Sequence, residues 1–218
     1  GPGLRFVVFM QGCPLRCICC HNPETWEITG GQEYSVEDVM AKIRRCRPYF
    51  GPRGGVTVSG GEPLLQQAFV TNLLSKCKAE GIRTALDTSG ALMNDLTVNL
   101  LNQCDLVLLD IKYTNETDYQ KHTLGSLEQT LKFLSLCDHL NKEVVIRHVV
   151  IPGINETQED IVRLKGLCKP YACITGIELL PFSNLCREKY QQLGIAFALK
   201  DCPNLESDKL AKLKEALV

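Results

Sequence analysis

The chain carries almost no net charge: 25 acidic residues against 24 lysines and arginines leave a formal −1 at pH 7. With neither sign in excess, nothing marks it for nucleic acid or for an anionic membrane surface. No apolar run approaches the ~20 residues that a bilayer-spanning helix needs. Internal repeats, low-complexity tracts and Pro/Gly-rich linkers are also missing, so residues 1–218 are read as one domain with room for a sizeable core. The chain opens Gly1-Pro2-Gly3 with no methionine and is read as a trimmed segment.

Cysteine is what the chain has in quantity, twelve in all. A secreted disulfide scaffold with that many is usually much shorter. Several, such as Cys77 and Cys104, sit on apolar patterns and read as small buried hydrophobes. The expected setting is reduced, cytoplasmic and anaerobic. Cys13, Cys17 and Cys20 stand apart: they are spaced C-x3-C-x2-C and run directly into His21-Asn22. Thiolates select zinc, copper or iron–sulfur clusters. Three of them on a four-iron, four-sulfur cluster (4Fe-4S) leave one iron without a protein ligand, an open corner like that of a catalytic zinc. A structural zinc site is the alternative, but no second C-x2-C or H-x3-H pair stands nearby to complete it. Cys168, Cys173, Cys186 and Cys202 form a further candidate metal set without a familiar spacing.

Strand and helix patterns alternate along the chain. Strands are expected at 5–11, 54–59, 82–88, 105–112, 143–151 and 174–180. Helices are expected at 35–49, 64–80, 94–102, 126–139, 156–168 and 207–217. Ser35 and Asp38 make a capping box, and Gly81 closes the second helix. Near-continuous apolar strands joined by helices predict an α/β fold with a parallel sheet. The length suits an open six-unit (β/α)6 partial TIM barrel rather than the full eight units.

In such a barrel, function gathers at the C-terminal ends of the strands. The first strand runs into the cysteine loop, and the second ends Ser59-Gly60-Gly61-Glu62-Pro63. Gly60 and Gly61 bare their backbone to a ligand, so that their amides and carbonyls can meet the ends of a zwitterion; Glu62 can accept from an ammonium group. The third strand ends Asp87-Thr88. On the fourth, alternation points Asp110 and Lys112 together into the barrel mouth. On the fifth, Arg147 is expected inside and His148 packed outside.

These residues resemble the radical S-adenosylmethionine (SAM) enzymes and, within them, the activases of glycyl radical enzymes. The opening Gly1-Pro2-Gly3-x-Arg5-x3-Phe9-x2-Gly12-Cys13-x3-Cys17-x2-Cys20-x-Asn22 follows the activase signature, and the likeness holds to about Leu185. It implies that Cys13, Cys17 and Cys20 hold the cluster and that S-adenosyl-L-methionine chelates the open iron. Gly60, Gly61 and Glu62 would receive the methionyl ammonium. Asn22 and the backbone of Cys19 to His21 would lie near the nucleoside. Asp110 and Lys112 would line the cofactor site, with Lys112 and Arg147 closest to the chemistry. Asp87, Thr88 and Asp110 would hold a monovalent cation. The implied reaction is reductive cleavage of the sulfonium and removal of a hydrogen atom from a glycine Cα of a partner glycyl radical enzyme. The electron would come from flavodoxin or ferredoxin, and the activase would act as a monomer. Cys19 stands where the family prefers an aromatic residue, and Ser183 where relatives place a ribose-contacting histidine. No eight-cysteine ferredoxin module fits between Cys20 and Ser59, which favours the simpler activases. A radical enzyme acting on a small molecule, or a non-catalytic zinc or iron–sulfur module, are the competing readings.

Overall fold

The computed structural model describes residues 1–217. Six strands pair in chain order, every pair parallel: β1 (Arg5–Met10), β2 (Gly55–Gly60), β3 (Thr84–Thr88), β4 (Leu106–Asp110), β5 (Glu143–Val150) and β6 (Ile174–Pro181). The order never returns to its start, so β1 and β6 are free edges and the barrel is open between them. The helices are α1 (Val36–Cys46), α2 (Gln67–Ala79), α3 (Thr97–Gln103), α4 (Glu116–Thr123), α5 (Leu127–His139), α6 (Gln158–Cys168), α7 (Arg187–Leu193) and α8 (Ser207–Glu215).

Burial on both faces explains the apolar strands. Val56 and Val58, Leu86, Val107 and Leu109, and Val144 and Ile146 meet the helices in the main core. Ala85, Leu106 and Leu108, with Val145 against them, form a separate apolar floor on the inner face. Two residues further along the same face, each strand turns polar: Asp87, Asp110 and Arg147 follow Ala85, Leu108 and Val145. Arg5 closes the far end of the lumen by donating to Thr57 Oγ1 (2.7 Å) and the Val56 carbonyl (2.5 Å).

Three local differences from expectation have physical causes. α1 carries the predicted Ser35–Asp38 capping box, but stops at Cys46 because the next turn, Arg47–Tyr49, contains Pro48 and tightens into a 3-10 helix. The second helix opens with a 3-10 turn, Pro63–Gln66, capped by the Glu62 side chain. α4 and α7 were not expected at all. α4 buries only Tyr119 and Thr123 and α7 only Tyr190, so neither has an apolar stripe to betray it.

Candidate active site

Past Met10 the chain leaves the sheet and wraps back across the barrel mouth. Gly12 has φ +93°, and a side chain there would strike Ile28 and Leu65. Its N–H donates to the Thr25 carbonyl (2.8 Å), and the Cys13 N–H donates to that of Trp26 (3.1 Å). From below, the last carbonyls of α4 hold the loop: Arg16 N–H donates to Thr123 (2.8 Å) and Ile18 N–H to His122 (3.0 Å). The Asn22 N–H points at Cys20 Sγ (3.4 Å), which orients that sulfur.

The loop roofs a cavity of about 390 Å³, within the range of small-molecule sites. The cavity is lined by Cys13, Cys17, Cys19 and Cys20, by Gly60 to Glu62, and by Asp87, Asp110, Lys112 and Arg147. The predicted residues from five separate strand ends thus share one space.

Charge in that space is tightly arranged. Lys112 Nζ donates to Asp110 Oδ2 (2.6 Å), and Arg147 donates to Asp110 Oδ1 (3.1 Å) and to Asp87 Oδ1. Ser59 Oγ completes Asp87 by donating to its Oδ2 (2.6 Å). Burial and the neighbouring Asp110 carboxylate push Asp87 up to about 6 against the pull of Arg147. Asp110 itself is held below its ordinary value: burial raises it, but Lys112 and Arg147 together outweigh that. Burial alone would discharge Lys112, but the Asp110 carboxylate, joined by the Cys17 and Cys19 sulfurs once they ionise, raises it well above its usual value and keeps it cationic. His148 lies on the opposite face, buried, bonded through Nδ1 to the Ile111 carbonyl (2.7 Å) and through Nε2 to Asn155 Nδ2 (3.0 Å).

The thiols fit an inorganic centre. Burial pushes Cys13 and Cys19 up to about 11 and Cys17 higher still. Metal coordination deprotonates such thiols outright, beside a lysine already placed to offset the charge. Among the described residues, no three Cys, His, Asp or Glu side chains close around a point that one ion would fill. The fit to a cluster rests on the donor set, three soft thiol sulfurs from one loop lining the cavity. Cys168, Cys173, Cys186 and Cys202 form no second centre among the described residues either.

Several expected contacts are arranged differently. The Glu62 carboxylate is turned into the wall. It accepts four hydrogen bonds, from Thr88 Oγ1 (2.5 Å), Ser89 Oγ (2.5 Å), Ser89 N (2.9 Å) and Leu64 N (3.1 Å), and no lone pair is reserved for an ammonium group. The Gly60-Gly61 pair is required by the protein's own backbone: a side chain at Gly60 would collide with Met10, and one at Gly61 with Gly12. The amides of Gly61 and Glu62 are spent on the Met10 and Gly12 carbonyls (both 2.8 Å), so neither is available to a ligand. Thr88 faces Glu62 and Arg147 separates Asp87 from Asp110, so the three predicted cation ligands do not surround one point.

Sequence reasoning also missed residues. Trp26 lines the cavity, with the Arg16 guanidinium 5.1 Å above its ring. Arg16 Nη1 donates in turn to the Cys13 carbonyl (2.8 Å). On the far side, Tyr190 Oη donates to the Cys20 carbonyl (3.1 Å) and Lys189 Nζ to Asn22 Oδ1 (2.9 Å). Trp26 is an aromatic close behind the cysteines, a signal present in the sequence. Lys189 and Tyr190 lie in a tail without periodicity, where no signal was available.

Comparison with known proteins identifies the family. The Radical SAM superfamily model matches residues 7–164. The pyruvate formate-lyase-activating enzyme of Clostridium pasteurianum is 40% identical over 218 residues, which cover 100% of this chain and 91% of that protein. The likeness therefore runs through the tail, beyond the limit near Leu185 that the motifs alone suggested. Among solved structures, a domain of pyruvate-formate lyase-activating enzyme from Bacteroides vulgatus is 23% identical with TM-score 0.61, covering 75% of this chain and 92% of that one. Streptococcus suis SuiB bound to S-adenosylmethionine shares the fold at TM-score 0.76 and 18% identity, over 98% of this chain and 46% of that one. These findings favour the activase reading over a small-molecule radical enzyme or a non-catalytic metal module. The chain belongs to the radical SAM superfamily and, within it, to the family of the pyruvate formate-lyase-activating enzymes.

Proposed function

We propose that this protein activates a glycyl radical enzyme of the pyruvate formate-lyase kind, using a 4Fe-4S cluster on Cys13, Cys17 and Cys20 and S-adenosyl-L-methionine beside it. The observation that carries the reading is the shared cavity, lined by the cysteine thiols and by a fixed Asp87–Arg147–Asp110–Lys112 charge array. When bound and reduced, the cluster and cofactor supply hydrogen-atom abstraction from a glycine Cα.

The protein's own part is to bind, orient and exclude water. Cys13, Cys17 and Cys20 would hold the cluster, whose remaining iron would be open to the cofactor. The Gly60 and Gly61 carbonyls and Asp87 receive the methionyl ammonium, while Asn22 and the Cys19–His21 backbone seat the nucleoside. Lys112 and Arg147 carry the fixed positive charge nearest the reacting atoms. Glu62 acts indirectly, by locking the end of β2 to the end of β3. A monovalent cation among Asp87, Thr88 and Asp110 requires Arg147 to withdraw from Asp87 and the Thr88 hydroxyl to turn from Glu62.

The guest glycine segment enters through the gap between β1 and β6. Phe9 is in register with Ser59 and so shares its inner face, and Val7 lies two residues before it on the same side. Both are well exposed for apolar residues, 44% for Val7 and 57% for Phe9, and form an apolar lip at the opening. Flavodoxin or ferredoxin delivers the electron, and the protein works as a cytoplasmic monomer.

The test is anaerobic incubation of reconstituted protein with pyruvate formate-lyase, S-adenosylmethionine and dithionite, read by electron paramagnetic resonance. A glycyl radical signal that requires S-adenosylmethionine is expected. Cofactor cleavage without that signal would remove the assigned partner, and absence of cleavage would remove the reading.

A further inference from the structure

The segment following β6 holds three consecutive residues of the cysteine loop. The His21 Nε2–H donates to the Ser183 carbonyl (2.9 Å), Tyr190 Oη donates to the Cys20 carbonyl (3.1 Å), and Lys189 Nζ donates to Asn22 Oδ1 (2.9 Å). Contacts this far apart in sequence, more than 160 residues, do not arise from local chain stiffness. Tyr190 is built in rather than draped over: it is 2% exposed, stacked on Phe197 (4.5 Å between centroids) and edge-on to Trp26 (5.9 Å). Lys189 is also steadied by Glu24 (2.5 Å). On the other side of Trp26, Arg16 reaches the Cys13 carbonyl, so the loop is gripped at both ends.

These three gripped residues are the stretch that, on the functional reading above, faces the nucleoside. We infer that Tyr190 and Lys189 are positioning residues for S-adenosylmethionine: with the Ser183 carbonyl they clamp Cys20 to Asn22 in the conformation that receives the nucleoside. The inference rests on that reading but does not follow from it, since a cysteine loop can hold a cluster without a clamp of this kind. It also gives the Ser183 departure a meaning. The segment meets the cofactor loop through its backbone and through α7, where a side chain at that position is not required.

A clamp of this type affects cofactor affinity more than cluster assembly: residues 12, 13, 16 and 18, around Cys13 and Cys17, are tied independently through Thr25, Trp26, Thr123 and His122, and of the three ligands only Cys20 lies within the clamp, which holds its carbonyl rather than its thiol. Tyr190→Phe keeps the stacking and removes only the donor; Lys189→Met removes the ammonium and keeps the aliphatic stem. The full chain, reconstituted anaerobically, is titrated with S-adenosylmethionine itself. Iron content and thermal midpoint are recorded alongside, and KM and kcat are separated in the cleavage assay. Each variant is expected to bind about three- to tenfold more weakly, the worth of one hydrogen bond. KM should rise by a similar factor, with iron content, melting and kcat nearly unchanged. Wild-type affinity in both variants would overturn the clamp. So would loss of iron in step with affinity, which would make the contacts a support for cluster loading alone. Wild-type protein that takes up no four-iron cluster would overturn the functional reading itself, and that is decided before the variants are compared.

Discussion

Removing the Glu62 carboxylate would strand four donors in a site where the residue is 1% exposed. Each buried donor left without a partner costs on the order of 1–3 kcal/mol, partly recovered by rearrangement or water entry. Glu62→Ala is therefore expected to destabilise the cluster-free protein by about 3 kcal/mol in a urea melt. Loss of cofactor affinity should follow from the loosened β2–β3 ends. A stable Glu62→Ala protein that only bound cofactor poorly would restore a direct contact. Cys17 has the opposite profile: its importance lies in one atom's chemistry. Cys17→Ala should fold but hold no stable cluster, and full iron content in that variant would refute the ligand assignment. Cys19, in the same cavity, is the thiol that could substitute for a missing ligand. A Cys17,Cys19 double variant distinguishes such rescue. At this scale the sequence revealed which residue types converge, but not their partners. Glu62 was legible as a strand-end acid; that it bonds inward depends on Thr88 and Ser89, 26 and 27 residues away.

At the scale of elements, the helices divide into those that support the barrel and those that hold the cysteine loop. α6 belongs to the first group. Its capping box pairs Thr157 with Asp160, Thr157 Oγ1 donating to Asp160 Oδ2 (2.6 Å) and accepting from the Asp160 N–H (3.2 Å). Thr157→Ala should cost about 1 kcal/mol in a denaturation curve and leave cluster loading unchanged. The cysteine loop belongs to the second group, and its elevated thiols set a pH dependence. Of the assigned ligands, Cys13 sits near 11 and Cys17 higher, so both are neutral at pH 7 and must lose protons on metal binding. Loading therefore releases protons and is favoured as pH rises. Iron incorporation at limiting iron should increase from pH 7 to pH 8.5; a flat or falling profile would contradict ligation by these thiols. Elements with an apolar period or an apolar run were legible: all six strands and the helices that cover them. α4 and α7 were not, because each shows the core a single aromatic ring. Both nevertheless touch the cysteine loop, α4 through its terminal carbonyls and α7 through two side chains.

For the molecule as a whole, the open edge between β1 and β6 joins fold to function. A closed barrel would give a small substrate a mouth; an open one also gives a polypeptide a side entrance, next to the apolar lip of Val7 and Phe9. The lumen is graded along its length, from Arg5 at the closed end, across the apolar floor of Leu106 and Leu108, to the charged array beneath the cysteines. That gradation was legible as a sum of strand ends, since alternation fixes which residues face inward once the strands are placed. The claim underlying all of this is that three thiols from one loop hold a cluster with a free vertex facing that lumen. The most direct measurement is iron and sulfide content after anaerobic reconstitution, together with assay of S-adenosylmethionine cleavage under dithionite. The account predicts about four irons and four sulfides per chain and release of methionine with 5′-deoxyadenosine. Zinc in place of iron, or a full cluster that leaves the cofactor intact, would contradict it.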